Sequence, residues 1–182
     1  MSRIDDLQVV YERFVSLPWK KSVAGPQRVW FCLHDPKDER ALLFSLGNFE
    51  IATTSADHGW RAYDLSNTFG NWLAQHEYRD SYFEHPEFLD DIAGEFHEVL
   101  VETLISWVQA EDENTVVTLM GISSLFGIVR VSKLVEQVAP HIRGRLLVFF
   151  PGHRHENNYR LLDARDGWNY LAIPIEAEVS QS

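Results

Sequence analysis

Three nearly uninterrupted apolar runs constrain the fold most: Val29–Leu33, Val116–Ile122 and Leu146–Phe150. A strand with one wet face alternates apolar and polar residues, whereas a run apolar at every position predicts a strand covered on both faces. Between these runs the apolar period changes to three and four. Ile4, Leu7, Val10, Tyr11 and Phe14 mark one amphipathic helix over residues 4–16. A second pattern starts at Pro36, with Asp35 as its cap, and reaches about Asp57, with a break expected at Gly47-Asn48. His58-Gly59 turns the chain into another strand, Trp60–Leu65, and Ser66 or Asn67 caps a helix with Phe69, Trp72 and Leu73. Pro86 opens a long helix to about Gln109, and Ser123–Ala139 reads as a further helix ended by Pro140 and Gly144. Tyr170–Ile173 supplies the last strand. Strands alternating with helices predict a three-layer α/β fold, with a mostly parallel sheet of about five strands in a single domain over residues 1–182.

Charge is concentrated in one segment. The net charge is −11, and residues 77–113 carry twelve acids against one base, Arg79, so this span holds the whole excess. Glu84, Glu87, Asp91, Glu95, Glu98 and Glu102 recur at helical spacing, opposite Leu89, Ile92, Phe96, Val99 and Leu100. The segment is expected to be an acidic helical elaboration with one solvated face. With the remaining charges balanced, a broad nucleic-acid-wrapping face is disfavoured. Trp19-Lys20-Lys21 is too short to make such a face. Cys32, the only cysteine, lies within an apolar run and reads as a buried, inert thiol. The opening residues lack the apolar core of a signal peptide, and no run approaches the ~20 residues that span a bilayer. A cytoplasmic protein is expected.

Ligands of open parallel sheets sit at the carboxyl ends of the strands. That edge collects His34-Asp35, Asp64–Ser66, Gly121–Ser124 and everything from Pro151. Gly121-Ile-Ser-Ser-Leu-Phe-Gly127 follows a strand and opens a helix, where backbone amides can hold a phosphate, so Gly121, Ser123 and Ser124 are candidates for that role. Ile128 stands where a nucleotide-hydrolysing phosphate loop carries lysine, and Leu125 stands where a nucleophile elbow carries glycine. Ordinary capping by Ser123 or Ser124 explains the same residues. His153, His155 and Glu156, with Asp163, Asp166 or the distant His34-Asp35, could be arranged around an ion. No spacing fixes a third ligand, so neither metal nor cofactor is expected.

The densest cluster of recognition-type residues is Asn157, Asn158, Tyr159, Arg160, Asp163, Arg165, Asp166, Trp168, Asn169 and Tyr170. Asn, Asp and Gly favour turns, and Arg–Asp pairs can stiffen a loop. Arg, Trp and Tyr are also the types enriched at interface hot spots. Both readings apply, and a long loop between two strands is expected to carry them.

Several stretches resemble the BrxB family of bacteriophage exclusion (BREX) defence systems. They are Tyr11-Glu-Arg-Phe14 with Leu17-Pro-Trp19, Arg28-Val-Trp-Phe31 with Asp35-Pro36, His58-Gly-Trp60, Asp64-Leu65, Trp72-Leu73, and His76-Glu-Tyr-Arg79 with Tyr82-Phe83. Gly121–Gly127, Leu147-Val-Phe-Phe-Pro-Gly152 and the long block Asn157–Tyr170 complete the set, which runs through nearly the whole chain. The resemblance implies a non-catalytic factor needed for phage restriction, and commonly for host DNA modification, within a multi-protein assembly. The assembly includes a methyltransferase, a large ATPase and PglZ, an alkaline-phosphatase-like protein, and PglZ is the contact the resemblance favours. It carries over no catalytic residues. Residues 157–170 are then the expected docking surface. A nucleotide- or phosphate-binding module with a regulatory role in the same system is the alternative.

Overall fold

The sheet is built on β1 (Val29–His34), which is buried at all six positions. In the computed structural model, which describes residues 2–162 and 167–177, β1 pairs in parallel with β4 (Arg145–His155) on one side and with β7 (Ile173–Ile175) on the other. Beyond β4 lie β3 (Thr115–Met120) and then β2 (Gly59–Asp64), also parallel, giving the order β2-β3-β4-β1-β7. The mostly parallel five-strand sheet read from the apolar runs is therefore present. The last strand sits later than expected, at Ile173–Ile175 and not Tyr170–Ile173. Pro174 lies within it, which an edge strand tolerates because proline has no N–H to donate.

Helices cover both faces. On one side, α1 (Arg3–Val15) buries Ile4, Leu7, Tyr11 and Val15, and α2 (Glu39–Ser55) buries Leu42, Phe49, Ala52 and Thr53. The start of α1 is held by reciprocal bonds, Asp5 N–H to Ser2 Oγ at 3.1 Å and Ser2 N–H to the Asp5 carboxylate at 2.7 Å. A buried Tyr11–Thr53 hydroxyl pair at 2.6 Å ties the two helices together. The break expected at Gly47-Asn48 does not occur, and α2 runs through it. One glycine costs only about 1 kcal/mol in a helix, which the burial of Leu42 and Phe49 on either side offsets.

On the other side, α3 (Thr68–Ala74), α4 (Arg79–Glu84), α5 (Leu89–Gln109) and α6 (Val131–Val138) follow in chain order. The helix α5 buries Ile92, Phe96, Leu100, Val101, Leu104 and Val108 in the main core. The acidic span thus includes a principal covering helix, and its periodic acids lie on the exposed side as expected. The expected helix Ser123–Ala139 is divided. A four-residue 3₁₀ turn (Ile122–Leu125) comes first, Gly127 takes φ +79°, and α6 begins only at Val131. The apolar residues Ile122, Leu125 and Val129 plug the core from this interrupted stretch. Cys32 is fully buried, and burial pushes its thiol far above the ordinary range.

Candidate functional site

The segment after Pro151, expected to be a loop, is largely a β-hairpin. β4 continues to His155, a turn at Glu156-Asn157 reverses the chain with Glu156 at φ +54°, and β5 (Asn158–Leu161) runs back antiparallel. The short β6 (Trp168–Asn169) pairs with β5, aligning Asn158 with Asn169 and Tyr159 with Trp168. This arm projects from the carboxyl edge of the sheet. Gly152 is required where it departs: a Cβ there would overlap the Arg160 carbonyl oxygen across the ladder.

Alternation along the hairpin sorts the candidates. Cross-strand partners share a face, so His153 and Arg160, with His155 and Asn158, form the outer side, and all four are exposed. Tyr159 points inward and is 2% exposed, its hydroxyl donating to the Ala172 carbonyl at 2.8 Å. It is therefore a core residue and not the surface contact expected of it; nothing in its sequence neighbourhood signalled which face of a hairpin it would take. Its phenol is pushed up by burial. Trp168 and Tyr170 are half-buried and stack on each other with ring centroids 4.6 Å apart. Trp168 Nε1 donates to Glu136 of α6 at 2.9 Å, and burial, with the Glu136 charge, lifts the Tyr170 pKa to about 12. Asn157 and Asn169 are exposed. Asp163, Arg165 and Asp166 lie outside the described residues.

The hairpin is anchored through one side chain of β1, Phe31. Around Phe31 are Tyr159 at 4.6 Å edge-on, Phe150 at 5.1 Å, Trp168 at 5.2 Å and Tyr170 at 6.1 Å between ring centroids. These separations are those of favourable aromatic pairs, each worth about 0.5–1.5 kcal/mol beyond area burial.

Two clefts of about 450 Å³ border the arm. One lies between Phe126–Ser132 and Trp168-Asn169, so the structure brings the end of the Gly121–Gly127 segment beside the aromatic block. The other lies between α1 and His153-Arg154 and includes His34 and Asp35. The arginines of the second are paired, Arg3 with Asp35 and Asp38 and Arg154 with Glu176 at 2.8 Å, and Lys37 also reaches Asp35. The Lys37 amide bonded to Asp35 holds its carboxyl below the usual range, and His34, buried, is 2.5 Å from Glu39. Among the described residues no three His, Cys, Asp or Glu side chains are grouped so as to hold a metal ion.

The turn proposed for phosphate has a different character. Gly121 takes φ +68° with the Asp64 carboxylate and Ser66 hydroxyl packed where a Cβ would be. The Ser124 hydroxyl is engaged with the Leu65 and Gly121 carbonyls at 3.0 and 2.7 Å, and Ser123 sits within the four-residue turn. A carboxylate and committed donors make this a poor place for an anion, so Gly121, Ser123 and Ser124 act as a structural turn.

No helix among the described residues is long and apolar enough to cross a membrane. No curated protein and no solved structure matches the chain. A family model described as BREX protein BrxB matches residues 63–175, from β2 to the end of β7. That stretch includes the carboxyl-edge turn and the whole arm, but not residues 1–62 with α1 and β1. Since it covers well over half of the 182 residues, the protein belongs to the BrxB family and is a component of a BREX antiviral defence system.

Proposed function

We propose that the protein is a non-catalytic docking component that holds a PglZ-type partner against the outer face of the hairpin, in the cytoplasm beside the other BREX proteins. One observation carries this reading: His153, His155, Asn158 and Arg160 form a contiguous exposed face on an arm whose opposite side is fastened to the core through Tyr159 and Phe31. A surface that is already ordered loses little conformational entropy on binding, which favours specific association. Arg160 supplies a planar donor group suited to a carboxylate on the partner. Exposed Asn169, Leu171 and Phe126 extend the area beyond the arm. A stable contact buries roughly 1,200–2,000 Å² in total, more than the four outer side chains offer alone.

The experiment is a pull-down of the co-encoded PglZ-type protein by the purified chain, with the mass of the complex measured in solution. Arg160→Glu and Asn158→Ala are preferred to Trp168→Ala because both are exposed, whereas Trp168 also packs on the core. A central arginine lost from an interface costs on the order of 2 kcal/mol, about thirtyfold in affinity. Retention of the partner by folded Arg160→Glu at wild-type strength rejects the arm as the contact. Turnover of any substrate by the isolated chain rejects the non-catalytic role.

A further inference from the structure

A third cleft, of about 580 Å³, lies at the other end of the sheet, where the parallel strands begin. Lys20, Lys21, Arg28, Arg143 and Arg145 bring five positive charges to it from three separate stretches of chain, against one lining carboxylate, Glu113. Among the described residues none of the five lies within 4.0 Å of a carboxylate. Asp112 feels the Arg143 charge but lies beyond 4.0 Å of it, and its Oδ1 accepts from the Thr115 hydroxyl at 2.8 Å and the Asn114 amide at 2.9 Å. In a chain of net charge −11 this concentration is no overflow from a basic composition.

The arginines are set into the cleft. Arg145 is only 7% exposed, and its guanidinium donates to the Gly144 and Lys20 carbonyls, both at 3.0 Å, while lying 4.8 Å from the centre of the Trp19 ring. Arg28 donates through Nη1 to the Ile142 carbonyl at 2.9 Å. Arg28 Nε and Trp19 Nε1 are buried with no hydrogen-bond partner. Buried polar groups are nearly always satisfied, and buried cations nearly always paired. Burial and the nearby Arg28 charge also pull the Arg145 pKa down. Unpaired, mutually repelling guanidinium groups with donors to spare are stabilised by an entering anion.

We propose that this cleft is a phosphate site, in which the guanidinium groups of Arg28 and Arg145 face the phosphoryl group of a small ligand and Lys21 and Arg143 close its rim. Several cations with forked donors suit a dianion better than a single carboxylate. The Trp19 ring is already covered by Arg145 and by His58, stacked 3.7 Å away at 8°, so the phosphoryl group and not a base is what the site reads. The net charge of −11 on the whole chain opposes a polyanion, which favours a small phosphate ligand over a nucleic-acid strand. The site is independent of the hairpin, on the opposite edge.

The test is calorimetric titration of the full chain, in low-salt buffer free of phosphate, with sodium phosphate, adenosine monophosphate and a ten-nucleotide single-stranded DNA, Trp fluorescence being followed in parallel. Saturable one-to-one binding of phosphate or of adenosine monophosphate is expected, weakened at least tenfold in the doubly reversed variant K21E/R143E. Both positions are exposed, and K21Q/R143Q takes its place should the double reversal fail to fold. Tighter binding of the nucleotide than of phosphate identifies a nucleoside phosphate as the source, and equal binding identifies free phosphate. Absence of saturable binding by both small probes, equal binding by the folded variant, or tighter binding of the oligonucleotide than of either overturns the proposal.

Discussion

The two ends of the sheet handle charge in opposite ways. At the carboxyl end, Arg3, Lys37 and Arg154 each have a carboxylate within reach. At the amino end five cations line the cleft beside Trp19, and among the described residues none of them has a carboxylate within 4.0 Å. Exposed ion pairs contribute little, about 0–1 kcal/mol each, so the paired end does not gain its order from them. Its order comes from the aromatic packing beneath the arm. The difference teaches that, here, apolar contact fixes shape at one end while unspent charge is kept available at the other.

The strongest way to break this contrast is Phe31→Ala. Loss of a buried phenyl ring costs about 3–5 kcal/mol, and the four aromatic rings around it lose their common neighbour. Chemical denaturation should report the loss, and hydrogen exchange should show the amides of β5 losing protection before those of β3. Equal loss along both strands would mean that the arm is not fastened through this ring.

Two glycines of the same stretch of chain sharpen the comparison. A Cβ on Gly152 overlaps the Arg160 carbonyl oxygen at the arm, and one on Gly144 overlaps the Thr115 carbonyl oxygen at the cationic end. Each alanine variant should lose about 1–3 kcal/mol, since backbone must shift to make room. Gly152→Ala should weaken partner retention and spare phosphate binding, with the reverse for Gly144→Ala. If both functions fall together in either variant, the two ends are coupled.

A smaller effect is expected from Tyr159→Phe. The ring stays in place, but the Ala172 carbonyl loses its donor, costing about 1–2 kcal/mol by denaturant midpoint. The smallest concerns alkaline pH. The Tyr170 pKa is about 12 in the folded chain against an ordinary 10.0, so the folded state holds this proton where the unfolded state has lost it. Its contribution is complete below pH 10 and disappears as pH rises toward 12. The slope of stability between pH 10 and 12 should therefore be shallower in Tyr170→Phe, by under about 1 kcal/mol for a half-exposed group.

Much of the frame was legible because its signal is local. Val29–Leu33, Trp60–Leu65, Val116–Ile122 and Leu146–Phe150 lie within a residue or two of the strand starts, and the α5 acids face outward as their spacing required. What local pattern could not supply was backbone sign and long-range proximity. Gly127 at φ +79° interrupts an apolar sequence that keeps helical period through it. The hairpin escaped notice because Gly152-His-Arg-His155 and Asn158–Leu161 are polar on one side, and only cross-strand register makes them a ladder. The inward turn of Tyr159 among exposed neighbours depends on the same cross-strand register. The cationic cleft was the least visible: Trp19-Lys20-Lys21 is too brief to signify alone, and Arg28 and Arg143 with Arg145 join it only after folding.

Pro174 has a further consequence. It pairs opposite Phe31 in the outermost strand, on the side where another backbone could otherwise attach. Lacking a hydrogen to offer, it interrupts that margin and guards it against stacking into fibres or extended ribbons. A subunit approaching this margin must then recognise the molecule by the chemistry of its surface groups, so that selectivity on this side is written in residue identity and not borrowed from generic main-chain stickiness.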